Sequence, residues 1–284
     1  MSDSKTTDSS EPSPIGELRW DGMTHPGRFR KNNEDAFLAL TFDALQVRYL
    51  GKSGESATET GDFVFAVSDG MGGAKSGEFA SRIAVQKITE LLPKSFNLGA
   101  LGVDRGFSDI LVELFQRIHK EMTQMSAYYE ECRGMGATLS LGWFSPGMMH
   151  FCHIGDSRIY YLPSVGGLKQ ITEDHTHVGW LQRSGQINER EARNHPERNQ
   201  LQQVLGGKCR QIAPQVGSVV VEPGDRFLFC SDGVMDGVWD RRIEELLRQP
   251  PPRFAELRPA ERLIKDSMEE SGRDNITALV VEVA

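Results

Sequence analysis

The sequence FVFAVSDG at residues 63–70 is an apolar run that ends in an aspartate and a glycine. FLFCSDG at 227–233 repeats this pattern, and FCHIGDSR at 151–158 places an aspartate directly after a glycine. Short runs of Phe, Val and Leu favour β-strands, and a glycine permits a sharp turn where such a strand ends. The sequence therefore predicts three strands that each present one carboxylate at a turn: Asp69, Asp232 and Asp156.

Other β-rich runs surround these three strands in the sequence. They cover residues 138–143, 149–154, 158–162 and 277–283, and most of them come as adjacent pairs that do not alternate with helices. Regular alternation with helices is typical of a doubly wound parallel sheet, whereas paired strands favour antiparallel sheets. We therefore expect an α+β fold in which helices pack outside antiparallel sheets.

Apolar residues at helical spacing predict two long helices, at residues 76–92 and 104–125. Pro93 is expected to end the first helix, and Asp104 is expected to cap the second. Two shorter helices are predicted near the C-terminus, one capped by Asp240 and one with Pro259 in its first turn. The polar stretch at 51–61 is typical of a loop between strands.

Composition excludes several classes of function. The chain has 284 residues, and its 40 acidic and 32 basic residues leave a net charge of −8, which would repel nucleic acid phosphates. No apolar run approaches the roughly 20 residues that a membrane helix needs, and the first residues lack a signal-peptide pattern. We therefore expect a cytoplasmic protein that binds neither nucleic acid nor membrane, with its four cysteines as free thiols.

The N-terminus differs in composition from the rest of the chain. Its first residues are rich in Ser and Thr, and such a segment buries too little apolar area to offset the entropy lost on ordering. We expect a disordered tail at residues 1–16. Since no internal repeat or long linker follows, residues 17–284 are expected to form one domain.

Two further acidic sites join the three strand ends. They are the pair Glu34-Asp35 within RFRKNNEDAF, and Asp274 within GRDNIT just before the last strand. Asp-Gly and Asp-Asn are ordinary turn dipeptides, which accounts for any one site taken singly but not for the repetition. Converging carboxylates repel one another unless cations lie between them, and all-oxygen ligand sets select Mg²⁺ or Mn²⁺.

This combination indicates phosphoryl chemistry. Two such ions can bridge a water molecule, lower its pKa and present it as hydroxide to a phosphoryl group. A positive side chain must then hold the phosphate oxygens. Arg30, four residues before Glu34, is placed to do so, because a guanidinium matches phosphate with two parallel hydrogen bonds.

Five motifs occur together in a familiar order and rough spacing. They are RKNNEDA (30–36), SDGMGG (68–73), GDSR (155–158), SDG (231–233) and GRDNIT (272–277). This set resembles the metal-dependent Ser/Thr protein phosphatases, the PPM or type-2C family, over residues 17–284, and it looks most like the compact bacterial branch. The resemblance implies a β-sandwich of two antiparallel sheets flanked by helices on both outer faces, a four-layer αββα fold with the metals at one end.

The resemblance also implies a role for each matching residue. Asp69 would bridge two metal ions, Mg²⁺ or Mn²⁺, with the Gly70 carbonyl on the second. Asp232 and Asp274 would complete the shell of the first ion.

The remaining family positions lie beside these ligands. Glu34 and Asp35 match the acidic pair near the second metal, directly or through water. Asp156 matches the aspartate that, with Asp232, holds a weaker third metal in bacterial members. Arg30 matches the phosphate-binding arginine.

Two positions depart from the family pattern. Met71 stands where eukaryotic relatives carry a histidine proposed as the acid that protonates the leaving group. Ala74 stands where many bacterial members also have a histidine. The general acid is therefore unassigned, and water would have to protonate the departing alkoxide, or a group elsewhere.

Residues 177–199 allow two interpretations. The resemblance makes this polar stretch, with a capping box predicted at Asn188 and Glu191, a flap beside the active site; composition alone equally fits a solvated surface excursion. His150 and His153 would point to opposite faces of a strand and cannot share an ion, so we interpret them as structural.

The sequence as a whole predicts a metal-dependent phosphatase that removes phosphate from Ser and Thr of proteins, a cognate Ser/Thr kinase among them, and acts as a monomer. The expected step is in-line attack by the hydroxide that bridges the metals. A phosphatase of small metabolites and a catalytically inactive binding module with the same fold are the alternatives.

Overall fold

The structure, a computed structural model, describes residues 16–43, 46–72, 74–100 and 106–284. Its β-strands are β1 Glu17–His25, β2 Asp35–Phe42, β3 Val47–Tyr49, β4 Ser53–Ala57, β5 Asp62–Met71, β6 Gly136–Ala137, β7 Leu139–Ser145, β8 Met148–Ile154, β9 Arg158–Leu162, β10 Lys169–Gln170, β11 Leu205–Gly206, β12 Gln215–Val220, β13 Arg226–Cys230 and β14 Ile276–Val283. Its α-helices are α1 Ala74–Ala100, α2 Phe107–Tyr128, α3 His177–Arg183, α4 Glu189–Arg193, α5 Asp232–Gly237, α6 Asp240–Arg248 and α7 Pro259–Glu270. The tail predicted at 1–16 lies outside the described residues except for Gly16.

The strands form two sheets. One sheet has the order β10-β9-β13-β14-β1-β4. In the other, β3-β2-β5-β7-β8-β12 lie side by side, and the short strands β6 and β11 extend from the end of β5. Every strand pair in the described part of the chain is antiparallel. This confirms the antiparallel sheets predicted from the sequence.

Three apolar cores show that the sheets are covered on both faces. Along β5, Phe63, Phe65 and Val67 pack between the two sheets, while Val64 and Ala66 point the other way toward α1 and α2. On β13, Phe227 and Phe229 enter the same central core, and Leu228 packs with residues of α6 and α7. Because side chains alternate along a strand, an unbroken apolar run is buried on both faces. The layers are therefore helices, sheet, sheet, helices, as predicted.

The acidic motif residues lie at one end of this sandwich. Asp35 begins β2 and is directly opposite Asp69, near the end of β5, in the antiparallel register. Asp156 lies in the turn between β8 and β9, Asp232 follows β13, and Asp274 precedes β14. Because neighbouring strands run in opposite directions, strand ends and strand beginnings meet at the same edge.

The predicted helix boundaries needed correction. Pro93 does not end α1, which continues to Ala100; a proline removes one backbone donor and can bend a helix without stopping it. Asp104 lies outside the described residues, and α2 begins at Phe107 with Gly106 at the N-cap. Asp240 is the first residue of α6 rather than its cap, where its charge still favours the helix N-terminus.

The stretch 51–61 is not wholly a loop, since it contains strand β4, which pairs with β1. Trp20 explains how this polar edge is held: its indole N–H donates to the carbonyl of Gly51 at 2.9 Å, and its ring covers Gly54. None of the helices in the described ranges is long and apolar enough to cross a membrane.

Candidate active site

A cleft of about 490 Å³ opens at the end of the sandwich where the acidic residues meet. Its walls contain all the predicted site residues except one: Arg30, Glu34, Asp69, Gly70, Asp156, Asp232 and Asp274. The exception is Asp35, which is buried and pairs with Asp69 in the β2–β5 ladder instead of lining the cleft. The structure thus brings together residues that are up to 244 positions apart in sequence.

Asp35 is held from the interior of the sandwich. Its Oδ2 accepts a hydrogen bond from the hydroxyl of Ser231 at 2.6 Å. Burial raises the pKa of Asp35 to about 6, and the Ser231 and Thr277 side chains, which favour the charged carboxylate, offset only part of that rise. Ser231 and Thr277 are therefore supports that the sequence reasoning missed, although Ser231 is the first residue of the SDG motif.

The carboxylates of the cleft raise one another's pKa. Loss of water, followed by the charges of Asp35 and Asp232, raises the pKa of Asp69 well above its usual value. The pKa of Asp232 is also raised well above its usual value, by desolvation and then by Asp156 and Asp274. Desolvation and nearby Asp174 raise the pKa of Asp156 to about 7. Such mutual repulsion is unfavourable unless positive charge is supplied.

The donor chemistry of this site fits a hard divalent cation. Oδ1 of Asp35 and Oδ1 of Asp232 are buried without a hydrogen-bond partner, and a buried unpaired carboxylate oxygen is costly. In the described ranges, no three His, Cys, Asp or Glu side chains converge as a closed ligand set. An oxygen-seeking cation is the partner that would neutralise these like charges and draw the carboxylates together.

Arg30 lies at the entrance of the cleft. Its Nη2 donates to Oδ2 of Asp274 at 2.6 Å, while about half of the side chain, 54%, stays exposed. A guanidinium carries five N–H donors, so the contact with Asp274 leaves donors for an anion in the cleft. Phosphate binding by Arg30 stays a prediction.

Asn275 fixes the loop that carries Arg30. Its Nδ2 donates to the carbonyls of Pro26 and Asn32 at 2.9 Å each, and its Oδ1 accepts from the backbone N–H of Glu34 at 2.7 Å. Sequence reasoning missed this role, although Asn275 follows Asp274 in the GRDNIT motif. An asparagine amide both donates and accepts, which is the signal that could have identified it.

Thr138 connects Asp69 to the turn that carries Asp156. The backbone N–H of Asp69 donates to Oγ1 of Thr138 at 2.9 Å, and the two hydroxyls of Thr138 and Ser157 lie 2.6 Å apart. A side chain on Gly155 would lie 2.5 Å from the methyl group of Thr138. The predicted strand at 138–143 included Thr138 without assigning it to the site.

The start of α1 presses against the Glu34 side of the cleft. A Cβ on Gly70 would lie 1.9 Å from the carbonyl oxygen of Gly77, and a Cβ on Gly77 would lie 2.3 Å from Oε2 of Glu34. Glycine at both positions therefore lets helix, strand and Glu34 approach closely. Desolvation raises the pKa of Glu34, and the charge of Arg30 opposes this rise.

Residues 177–199 lie beside the cleft, which favours the interpretation as a flap. Asn199 lines the cleft, and a smaller cavity of about 80 Å³ separates the flap helices α3 and α4 from Asp156 and Asp232. The capping box predicted at Asn188 and Glu191 is present. We use the term flap for residues 177–199.

Arg193 docks the flap onto the body of the domain. Its guanidinium stacks on Trp239 at 4.0 Å and donates to the backbone carbonyls of Met235 and Val238. The same side chain forms an ion pair with Glu189 one turn earlier in α4. These contacts favour the interpretation of residues 177–199 as a flap over that of a solvated surface excursion.

His150 and His153 have structural contacts, as the sequence predicted, and the cleft is lined without a histidine among the described residues. His153 is buried and hydrogen-bonded, and His150 stacks on Phe107 with ring centroids 3.9 Å apart, so both have structural contacts. Met71 lines the cleft with 39% of its surface exposed. Among the described residues that line the cleft there is no histidine.

Comparison with known proteins identifies the family. A family model described as protein phosphatase 2C matches residues 52–272. The serine/threonine protein phosphatase PstP of Mycobacterium tuberculosis is 32% identical over 94% of this chain, and the chain spans only 45% of that relative's length. The serine/threonine phosphatase stp of Listeria monocytogenes is 30% identical over 91% of this chain and 93% of its own length.

Solved structures agree with this assignment. The S. agalactiae serine/threonine phosphatase superposes with a TM-score of 0.75 at 25% identity, covering 94% of this chain and 100% of its own. The catalytic domain of PstP, solved in complex with two manganese ions, has a TM-score of 0.68 at 31% identity and covers 94% of this chain and 99% of its own. The chain belongs to the protein phosphatase 2C family.

Proposed function

We propose that this chain hydrolyses phosphoserine and phosphothreonine in proteins and depends on two divalent cations, Mg²⁺ or Mn²⁺. The observation that carries the proposal is the single cleft that gathers Arg30 with Asp69, Asp156, Asp232 and Asp274. The naming of the relatives as Ser/Thr phosphatases and the two manganese ions bound to the PstP catalytic domain support it.

Different carboxylates would hold different cations. Asp69 lies centrally, opposite Asp35, and would contact both ions. The ions, when bound, would lower the pKa of water and so supply the nucleophile of the proposed reaction. The residues that would hold them are Asp232 and Asp274 on one side, Glu34, Asp35 and the Gly70 carbonyl on the other, and Asp156 with Asp232 at a weaker third position.

Arg30 would bind the phosphoryl group. Its bond to Asp274 fixes the guanidinium at the cleft entrance, and its remaining N–H groups would hold phosphate oxygens in a planar, bidentate contact. Asn275 supports this geometry because it fixes both ends of the loop from Pro26 to Asn32. The leaving alkoxide would be protonated by water, since Met71 offers no proton.

The rim of the cleft favours a polypeptide over a small metabolite. Phe29 lies on the rim with 72% of its surface exposed, and Met71 is also partly exposed there. An aromatic ring and a flexible thioether can pack against the residues that flank a phosphorylated side chain. The substrates would be phosphorylated proteins in the cytoplasm, a cognate kinase among them, with the chain acting as a monomer.

The experiment is hydrolysis of a phosphothreonine peptide and of glycerol phosphate, each with Mn²⁺ and with EDTA. We expect metal-dependent turnover of the peptide, with kcat/KM at least about 10-fold above that of the small ester, since flanking contacts add binding energy. Turnover that persists in EDTA would overturn the metal-dependent mechanism. Faster turnover of glycerol phosphate would favour the metabolite phosphatase.

A further inference from the structure

The turn that presents Asp156 has little freedom of its own. It follows β8 with Gly155 at φ +111°, a conformation that residues with side chains rarely adopt. The adjoining Thr138 leaves no room for a Cβ on Gly155. Because Asp156 follows directly, contacts to the peptide groups of Gly155 bear on where its carboxylate points.

His175 holds Gly155 from two sides. The backbone N–H of His175 donates to the Gly155 carbonyl at 2.7 Å, and the imidazole Nδ1 of the same residue accepts from the Gly155 N–H at 3.2 Å. Because Nδ1 is the acceptor, the neutral ring carries its hydrogen on Nε2. Both backbone groups of Gly155 are thus engaged by one residue that lies two positions before the flap.

His153 also contacts the Gly155–Asp156 turn. Its Nε2 lies 3.1 Å from the Gly155 carbonyl and 3.1 Å from the Glu173 carbonyl. Since both partners are acceptors, Nε2 must carry the hydrogen, and Nδ1 faces the Ser140 hydroxyl at 2.9 Å. The ring is fully buried, and burial lowers its pKa to about 3, so it stays neutral.

We call residues 173–175 the flap base. This segment contacts residues that precede Asp156 in the chain and a residue that follows it. Besides the contacts of Glu173 and His175, Asp174 accepts two hydrogen bonds from Arg158, at 2.9 and 2.7 Å. Arg158 begins β9, two residues after Asp156. The His153 and His175 rings lie beside each other, with centroids 5.0 Å apart.

We propose that His153 and His175 form a clamp that joins the Gly155–Asp156 turn to the flap base, so that the position of the flap sets the direction of the Asp156 carboxylate. His175 would thereby be a positioning residue, since it is not among the residues that line the cleft. The inference rests on the proposed function, in which Asp156 holds the weaker third cation. The Arg158–Asp174 ion pair already attaches the flap base to β9, so the additional bonds to Gly155 would serve to orient the turn.

The test compares His175→Asn with His175→Gln. The side-chain oxygen of asparagine can occupy the place of Nδ1 and accept from the Gly155 N–H, whereas glutamine reaches one bond further, toward the place of Nε2. His177→Gln is the matched control, because His177 is exposed and stacks on Trp180, away from the turn. Bound Mn²⁺ is counted by the electron paramagnetic resonance signal of the free ion, and folding by thermal melting.

The clamp predicts that His175→Gln weakens the weakest Mn²⁺ site about 10-fold, as removal of an outer contact to a metal ligand does. The tighter sites should be unchanged, and His175→Asn and His177→Gln should bind Mn²⁺ like the wild type. Unchanged binding in a folded His175→Gln protein would overturn the clamp. Equal weakening in the Asn and Gln variants, together with a lower melting temperature, would also overturn it and leave a structural role.

Asp156→Asn separates this inference from the proposed function. If that variant keeps every Mn²⁺ site, the assignment of Asp156 as a ligand fails. If Asp156→Asn loses the weakest site while His175→Gln keeps it, only the clamp fails.

Discussion

Asp35 and Asp69 lie opposite each other on neighbouring strands, an arrangement that opposes folding when both are charged. The pKa of Asp35 is raised to about 6 in the fold against roughly 3.9 in an unfolded chain. Because the pKa is higher in the fold, protonated Asp35 contributes to the stability of the fold below about pH 4. This contribution is lost as the pH rises through 6. The charged carboxylate of Asp35 therefore lowers the stability of the cation-free fold above about pH 6.

Asp35→Asn tests this cost at a single residue. In EDTA at pH 8 we expect the free energy of unfolding to rise by about 1–3 kcal/mol, because the buried charge is removed. At pH 4 the difference should vanish, since Asp35 is then protonated in the folded protein. Denaturant unfolding at both pH values checks this, and a variant that is less stable at pH 8 would contradict it.

Arg30→Ala tests the proposed phosphate contact. Hydrogen bonds to charged groups contribute about 1.5–3 kcal/mol, so kcat/KM for a phosphothreonine peptide should fall about 10- to 100-fold. Arg30→Lys should recover only part of the loss, because an ammonium cannot form the bidentate contact. Steady-state kinetics measure this loss. A kcat/KM equal to that of the wild type in Arg30→Ala would contradict a role of Arg30 in phosphate binding.

At the scale of elements, helix α1 depends on its contact with Gly70. Replacing a helical glycine with alanine usually stabilises a helix by roughly 0.5–1 kcal/mol. At Gly77 the new methyl group would meet Glu34 and the Gly70 carbonyl. The contact between the helix and the cleft would therefore be displaced.

Gly77→Ala is expected to lower both the melting temperature and the affinity for Mn²⁺. Overpacking of this kind costs about 1–3 kcal/mol, which exceeds the gain in helix propensity. Gly167→Ala is the control, because the nearest atom to its Cβ would be 3.7 Å away. Thermal melts with and without Mn²⁺ measure both effects; a Gly77→Ala protein that is more stable and binds Mn²⁺ normally would refute the packing argument.

The elements that the sequence predicted well are those with a strong apolar pattern. The β5, β7, β8, β9, β13 and β14 strands were predicted because they are apolar runs, and α1 and α2 were predicted from their spacing. Strand β4 was missed because a polar edge strand has no apolar face, and backbone pairing with β1 holds it instead. Pro93 was expected to end α1, but the helix continues to Ala100, because a proline removes one backbone donor without having to stop a helix.

The sequence predicted those site residues whose side chains can bind cations or phosphate and which also lie in a recognisable motif. The carboxylates and Arg30 stand in recognisable motifs, and all but Asp35 line one cleft. Asn275, Thr138 and His175 act through hydrogen bonds to backbone groups that are distant in sequence. Tertiary contacts decide which backbone groups these side chains meet, so residue type and motif can single out Asn275 as a candidate but cannot name its partners.

At the scale of the whole molecule, the sandwich brings its strand ends together into a cleft whose charges repel. The pKa is about 6 for Asp35 and about 7 for Asp156, so protons would compete below pH 7 with any cation that these carboxylates hold. Cation binding should therefore stabilise the fold more at high pH than at low pH.

Melting with Mn²⁺ at pH 5.5 and pH 8 measures this competition. A ligand at 100 times its Kd adds about 2.7 kcal/mol, which corresponds to an increase of roughly 5–10 °C for a chain of this size. We expect that increase at pH 8 and a clearly smaller one at pH 5.5. Equal increases at the two pH values would show that these carboxylates do not bind the ion.

The measurement that tests the central claim most directly is the number of Mn²⁺ ions bound by the wild type and by Asp69→Asn, followed by turnover of a phosphothreonine peptide in the same samples. The account predicts at least two tightly bound ions and turnover in the wild type. In a folded Asp69→Asn protein it predicts loss of tight binding and a fall in kcat of about 10³-fold or more, since cations contribute several kcal/mol of transition-state stabilisation. A variant that binds Mn²⁺ and hydrolyses the peptide like the wild type would contradict the account.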